Sequence, residues 1–243
     1  MTKSILITGA SSGIGYATAI EFLNAGWTVG LLARRADVLE DIANQYDTAI
    51  PLPADITNET EVSAAFAAFS KRAGRLDAMF NNAGISGPQA TIDEITLDQF
   101  QDVVSVNLTG MFLAARAAFR QMRAQSPQGG RIINNGSISA HSPRPKMLCY
   151  TTTKHAITGL TRQLSLDGRS FDIACGQIDI GNAATPMVTA MNESLVAEGH
   201  EPNPVMDVGD AARAVLHMAD LPLETNVQFM TIIATKMPYV GRG

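Results

Sequence analysis

Cysteine is nearly absent: Cys149 and Cys175 are the only two in 243 residues. Two thiols exclude a disulfide framework and a four-thiolate zinc site. Charge is sparse too, at 17% Asp, Glu, Lys and Arg against 46% hydrophobic residues. That balance excludes disorder as the dominant state. There is no basic excess: Lys plus Arg number 18 and Asp plus Glu 23, a net charge of −5. Phosphate-driven nucleic-acid binding and basic membrane-surface binding are therefore not expected. No apolar run approaches the length of a membrane-spanning helix, and the N-terminal run is too short for a signal peptide. His141, His155, His200 and His217 are scattered without metal-ligand spacing, so no metal is expected. Internal repeats and low-complexity blocks are lacking as well. The expectation is a soluble, cytoplasmic globular protein.

What is present is a repeated alternation of short apolar strands with longer helical patterns. Strands are predicted at 4–8, 28–33, 49–54, 76–81, 130–137, 171–178 and 227–233. Helices are predicted at 14–24, 37–46, 59–73, 97–122, 149–168 and 208–219. Strands that alternate with helices pair in parallel through right-handed crossovers, and continuous apolar strands fit a sheet covered on both faces. The fold class is α/β: a Rossmann-type doubly wound parallel sheet in a three-layer α/β/α sandwich, one domain over residues 1–243. Ligands in such a sheet sit beyond the carboxyl ends of the strands, so the segments just after each strand hold the candidates.

After the first strand comes Thr8-Gly9-Ala10-Ser11-Ser12-Gly13-Ile14-Gly15. Gly9 permits a tight turn, Gly13 lets the backbone approach a pyrophosphate, and Gly15 lets helix pack closely on strand. The helix N-terminus offers free N–H groups and a positive dipole end to the anion. The second strand ends in Ala33-Arg34-Arg35, with no carboxylate until Asp37. Two guanidiniums there suit a 2′-phosphate, which favours NADP(H) over NAD(H).

Tyr150 and Lys154 stand four apart, on one face of the 149–168 helix. A free phenol exchanges protons poorly at neutral pH, and an ammonium beside it favours the phenolate. Tyr150 could then act as general acid to a carbonyl or general base to an alcohol. Ser137 ends the preceding strand, where a hydroxyl could polarise a carbonyl; Ser139 is the rival hydroxyl. Asn107 lies inside a helical pattern near Gly110, where a local kink could expose a backbone carbonyl to water.

Together these residues resemble the single-domain short-chain dehydrogenase/reductase family from end to end. The resemblance rests on the glycine loop, Asp55-Ile56, Asn81-Asn82-Ala83-Gly84, Asn107, Ser137 and the Tyr150/Lys154 pair. It implies hydride transfer between a nicotinamide and a small-molecule ketone or secondary alcohol. Tyr150 would be the proton donor or acceptor, Lys154 would hold the ribose and favour the phenolate, and Ser137 would orient the carbonyl. Asn107 would anchor a water extending a proton relay. Gly9, Ser11, Ser12, Gly13, Ile14 and Gly15 would cradle the cofactor. Arg34 and Arg35 would meet its 2′-phosphate, Asp55 and Ile56 its adenine, and Asn82, Ala83 and Gly84 its ribose. Gly181 and Thr185 would reach the nicotinamide amide and phosphates, although Ile180 stands where the family commonly has Pro. The three threonines between Tyr150 and Lys154 carry no assigned function.

The resemblance further implies a substrate-covering segment at about 182–208 and a homotetramer or homodimer, with the 227–243 tail as one possible contact. The 141–147 loop holds Arg144 and Lys146, which could meet an anionic group or be solvated. A non-catalytic NAD(P)-binding sensor on the same fold is the alternative, disfavoured by the intact Asn107, Ser137, Tyr150 and Lys154 set. A sugar-nucleotide epimerase would need a larger C-terminal region than follows Ile180. Enoyl reductases place the Tyr and Lys further apart.

Overall fold

Successive side chains along the central strands are buried on opposite faces of the sheet, and this builds the molecule in layers. The computed structural model describes residues 2–240. Seven parallel strands form one sheet: β1 (Ser4–Thr8), β2 (Thr28–Ala33), β3 (Ala49–Pro53), β4 (Ala78–Asn81), β5 (Gly130–Asn135), β6 (Ile173–Ile180) and β7 (Phe229–Ile232). Their order is β3-β2-β1-β4-β5-β6-β7. The direction of winding reverses between β1 and β4, which opens the crevice expected of a doubly wound sheet. Ile5 and Ile7 of β1 join one apolar layer with Phe22, Leu39 and Val215. Leu6, between them, joins the opposite layer with Phe66, Phe69, Leu113 and Met122. Full burial of each such side chain contributes roughly 1.5–3 kcal/mol, so both faces of the sheet are anchored.

The helices are α1 (Gly13–Asn24), α2 (Ala36–Ala43), α3 (Glu59–Ala73), α4 (Leu97–Val104), α5 (Met111–Ala124), α6 (Leu148–Gly168), α7 (Pro186–Ala197) and α8 (Val208–Asp220). The start of α3 is fixed by Asn58, whose side chain accepts from the Thr60 and Glu61 N–H groups, and α4 opens with a Thr96/Gln99 capping box. The predicted 97–122 helix is two helices joined by a widened π-helical turn at Ser105–Gly110. That turn contains Asn107, where a kink was expected. Two further differences matter. β6 runs to Ile180, in register with Ile232; an isoleucine here continues a ladder that proline could not. The segment at about 182–208, expected to cover the substrate and given no predicted helix before 208, contains α7, capped by the Thr185 hydroxyl and started by Pro186. The Gly-Arg-Gly end of the tail expected at a subunit contact lies outside the described residues. Among the described residues no helix is long and apolar enough to cross a membrane, and no cluster of metal-binding side chains forms.

Candidate active site

The carboxyl ends of the central strands bound two cavities. One is a groove of about 570 Å³ beyond β1, β2 and β3. Gly9, Ser11, Ser12, Arg34, Arg35, Asp55, Ile56, Ala83 and Gly84 line it. Gly9 and Gly13 take positive φ, +69° and +54°, which a side chain would disfavour. A Cβ on Gly15 would lie 2.2 Å from the Gly9 carbonyl oxygen, so the helix can approach the turn only because Gly15 has none. Ser12, the N-cap of α1, makes no side-chain cap, and the first turn holds no acidic residue. The N–H groups of that turn are thus left to an anion. A Cβ on Gly13 would meet the Thr185 methyl at 3.4 Å, so the start of α7 faces the loop. These features fit a dinucleotide: a turn without side chains, an uncapped helix N-terminus and basic groups beyond β2.

The two arginines differ. Arg35 is turned back onto the loop, donating to the Ser11 carbonyl at 2.8 Å and to the Ser11 hydroxyl at 3.0 Å. Arg34 is exposed on the groove wall. Asp55 accepts from the Thr57 N–H at 2.9 Å and the Thr57 hydroxyl at 2.8 Å. The Thr57 amide first, then its hydroxyl and the Arg34 charge, hold the Asp55 carboxyl below the usual carboxylate range.

The second cavity, about 320 Å³, lies beyond β5 and β6 under α7. Ile14, Ser137, Tyr150, Gly181 and Thr185 from the predicted set line it, with Arg144 and apolar Ile138, Met147, Met187 and Met191. β5 ends at Asn135, two residues short of the expected end at Ser137; Ser137 instead caps the turn Ile138–Ala140, its hydroxyl accepting from the Ser139 N–H at 3.1 Å. Ser139, the rival, is fully buried. Tyr150 lies one turn before Lys154 on α6, and the Lys154 Nζ is 5.4 Å from the Tyr150 ring centroid. Lys154 is 2% exposed and donates to the Asn135 carbonyl at 2.7 Å. Its ammonium is therefore held at the end of β5 rather than in solvent.

Two predicted residues stand behind the walls. Asn82 donates to the Thr8 carbonyl at 2.9 Å and accepts from the Asn135 side chain at 2.8 Å, tying the ends of β1, β4 and β5 together. Asn107 accepts from the Ile85 N–H and donates to the Ile85 carbonyl, both at 2.8 Å. It also donates to the Thr153 hydroxyl at 3.4 Å. Asn107 thus clamps the loop after β4 to the Tyr150 helix. Thr153, given no function from the sequence, is 1% exposed and joins that network. Asp179, in β6, was also missed, although a lone carboxylate within an apolar strand was a visible signal. Of the loop residues, Arg144 borders the cavity and Lys146 is exposed.

Residues 3–195 match the short chain dehydrogenase family. The chain is similar to a 2-(R)-hydroxypropyl-CoM dehydrogenase of Xanthobacter autotrophicus, 34% identical over 77% of each chain. It is similar to the crystal structure of levodione reductase, with 30% identity, TM-score 0.86 and 95% of each chain covered. It is similar as well to a 3-ketoacyl-(acyl-carrier-protein) reductase from Brucella melitensis complexed with NADH, with 26% identity and TM-score 0.84 over 95% of this chain and 96% of that one.

Proposed function

The chain belongs to the short-chain dehydrogenase family and is a nicotinamide-dependent oxidoreductase; on that premise we propose an NADP-preferring enzyme that interconverts a ketone and a secondary alcohol, with Tyr150 as general acid–base. A nicotinamide, when bound, would supply or accept the hydride. The observation that carries this reading is the grouping of Ser137 and Tyr150 on one cavity wall, with the buried Lys154 ammonium 5.4 Å from the phenol ring.

In the reduction direction the Ser137 hydroxyl, already accepting from Ser139, keeps its own hydrogen for the substrate oxygen. Tyr150 delivers a proton to that oxygen. Lys154, anchored by Asn135, has further N–H donors for the ribose hydroxyls. Exposed Arg34 would meet the 2′-phosphate, and Arg35 braces the loop through Ser11. The methionine-rich wall under α7 supports a hydrophobic substrate, and the names of a hydroxypropyl dehydrogenase and a levodione reductase among the relatives support alcohol and ketone chemistry. A homodimer or homotetramer is part of the proposal. Strand β7 is the sheet's edge, with Phe229 exposed, which supports self-association there; light scattering of the eluted protein tests it.

The test of function is a panel of ketones and secondary alcohols with NADPH, NADH and their oxidised forms, followed at the nicotinamide absorbance band. Turnover is expected on hydrophobic ketones with NADPH. Tight cofactor binding with no turnover across the panel would favour a non-catalytic sensor instead.

A further inference from the structure

Asp179 is fully buried in β6, where an unpaired carboxylate would be costly to desolvate. Its position is built rather than accidental. Oδ1 accepts from the Ser137 N–H at 2.9 Å and from Gln177 Nε2 at 2.7 Å. Oδ2 lies 2.8 Å from His141 Nε2. Gly136 makes room: a Cβ there would lie 2.0 Å from Asp179 Oδ1. Gln177 is itself held by the Thr158 and Thr161 hydroxyls of α6, at 3.1 and 3.0 Å. The His141 side chain, 39% exposed, closes the one side of the carboxylate that faces solvent.

The Asp179 carboxylate therefore grips both ends of the turn that carries the Ser137 hydroxyl: Ser137 through its N–H, and His141 through its ring. Between them, Ile138 to Ala140 form a single tight turn, with the Ala140 N–H donating to the Ser137 carbonyl at 2.8 Å. We propose that Asp179, capped by His141 and seated against Gly136, is the positioning residue that fixes Ser137 for the substrate carbonyl. This rests on the oxidoreductase reading above. A hydroxyl that drifts by about 1 Å loses alignment with the reacting oxygen, and such misplacement costs on the order of a hundredfold in rate. The grip acts on the Ser137 backbone and does not touch the glycine loop, so cofactor binding is left alone. An asparagine can reproduce it: its carbonyl accepts from Ser137 and Gln177, and its amide donates to the other tautomer of His141.

The test compares Asp179→Ala, Asp179→Asn and His141→Phe with wild type, reading kcat, KM and cofactor affinity by nicotinamide fluorescence. Asp179→Ala is expected to lower kcat about a hundredfold with cofactor affinity nearly constant, and Asp179→Asn to restore most of that loss. His141→Phe is expected to lower kcat about tenfold, again at constant cofactor affinity. Should Asp179→Ala fail to fold, His141→Phe and Asp179→Asn decide. Wild-type kcat in Asp179→Ala or His141→Phe overturns the proposal. So does a parallel fall of kcat and cofactor affinity, or an asparagine variant as poor as the alanine. A wild-type protein that turns over nothing removes the functional reading itself, a result separate from any of these.

Discussion

Arg34 and Arg35 are neighbours with different duties. Arg35 is committed to Ser11, so its loss should loosen the glycine loop toward either cofactor. Arg34 is exposed on the groove wall and is the group available to a 2′-phosphate. Arg34→Ala is expected to lower kcat/KM for NADPH about tenfold or more, the scale of one charge-assisted hydrogen bond, and to leave NADH nearly unchanged. Equal losses with both cofactors would refute that role. Gly15 makes a second test at this scale. A methyl there meets the Gly9 carbonyl oxygen at 2.2 Å, and neither backbone segment can yield freely. Gly15→Ala is expected to cost about 1–3 kcal/mol in urea unfolding and to weaken both cofactors alike. Unchanged stability would mean that the loop and α1 approach less closely than the geometry requires.

At the scale of elements, α7 stands apart from the other helices. None of its residues is fully buried, yet Met187, Val188 and Met191 cover the cavity that holds Ser137 and Tyr150. An element with so little buried surface opens at low free-energy cost. Hydrogen exchange in α7 is expected to be faster than in α6 and to slow when NADP and a substrate analogue are added together. Exchange as slow as in α6, or indifferent to ligands, would contradict a covering role. The same lack of burial explains why α7 was illegible in the sequence: without a packed face, Pro186–Ala197 shows no strong apolar period. The strands were legible because both faces of the sheet are covered, which leaves continuous apolar runs such as Ile5-Leu6-Ile7. β6 was the exception, since Asp179 interrupts its pattern and the strand seemed to end at 178. The Tyr150, Lys154 and glycine positions could be read from spacing. The clamps made by Thr153, Asn82 and Asp179 could not, because they depend on which strand ends the topology brings together.

For the whole molecule, acid is the revealing variable. Asp55, Asp93 and Glu94 are all held below the usual carboxylate range. The chief causes are the Thr57 amide at Asp55, the Thr91 hydroxyl at Asp93 and the Thr91 amide at Glu94. As pH falls, the unfolded chain takes up these protons before the folded one does. The stability they contribute is present above the ordinary carboxylate range and is lost as pH drops through their lowered folded values. Tm is therefore expected to be level from about pH 7 to 5 and to decline below about pH 4. A Tm that rises toward acid would contradict the sign. Asp93 and Glu94 are exposed and Asp55 only partly buried, so the decline from them should be shallow.

The proposed function rests on one phenol and its ammonium neighbour, Tyr150 and Lys154. Tyr150→Phe keeps the ring and its packing and removes only the exchangeable proton. With the best substrate of the panel, kcat is expected to fall about a thousandfold while NADPH affinity, read by fluorescence, stays within about twofold. A variant that retains most of the wild-type kcat would show that the proton comes from elsewhere.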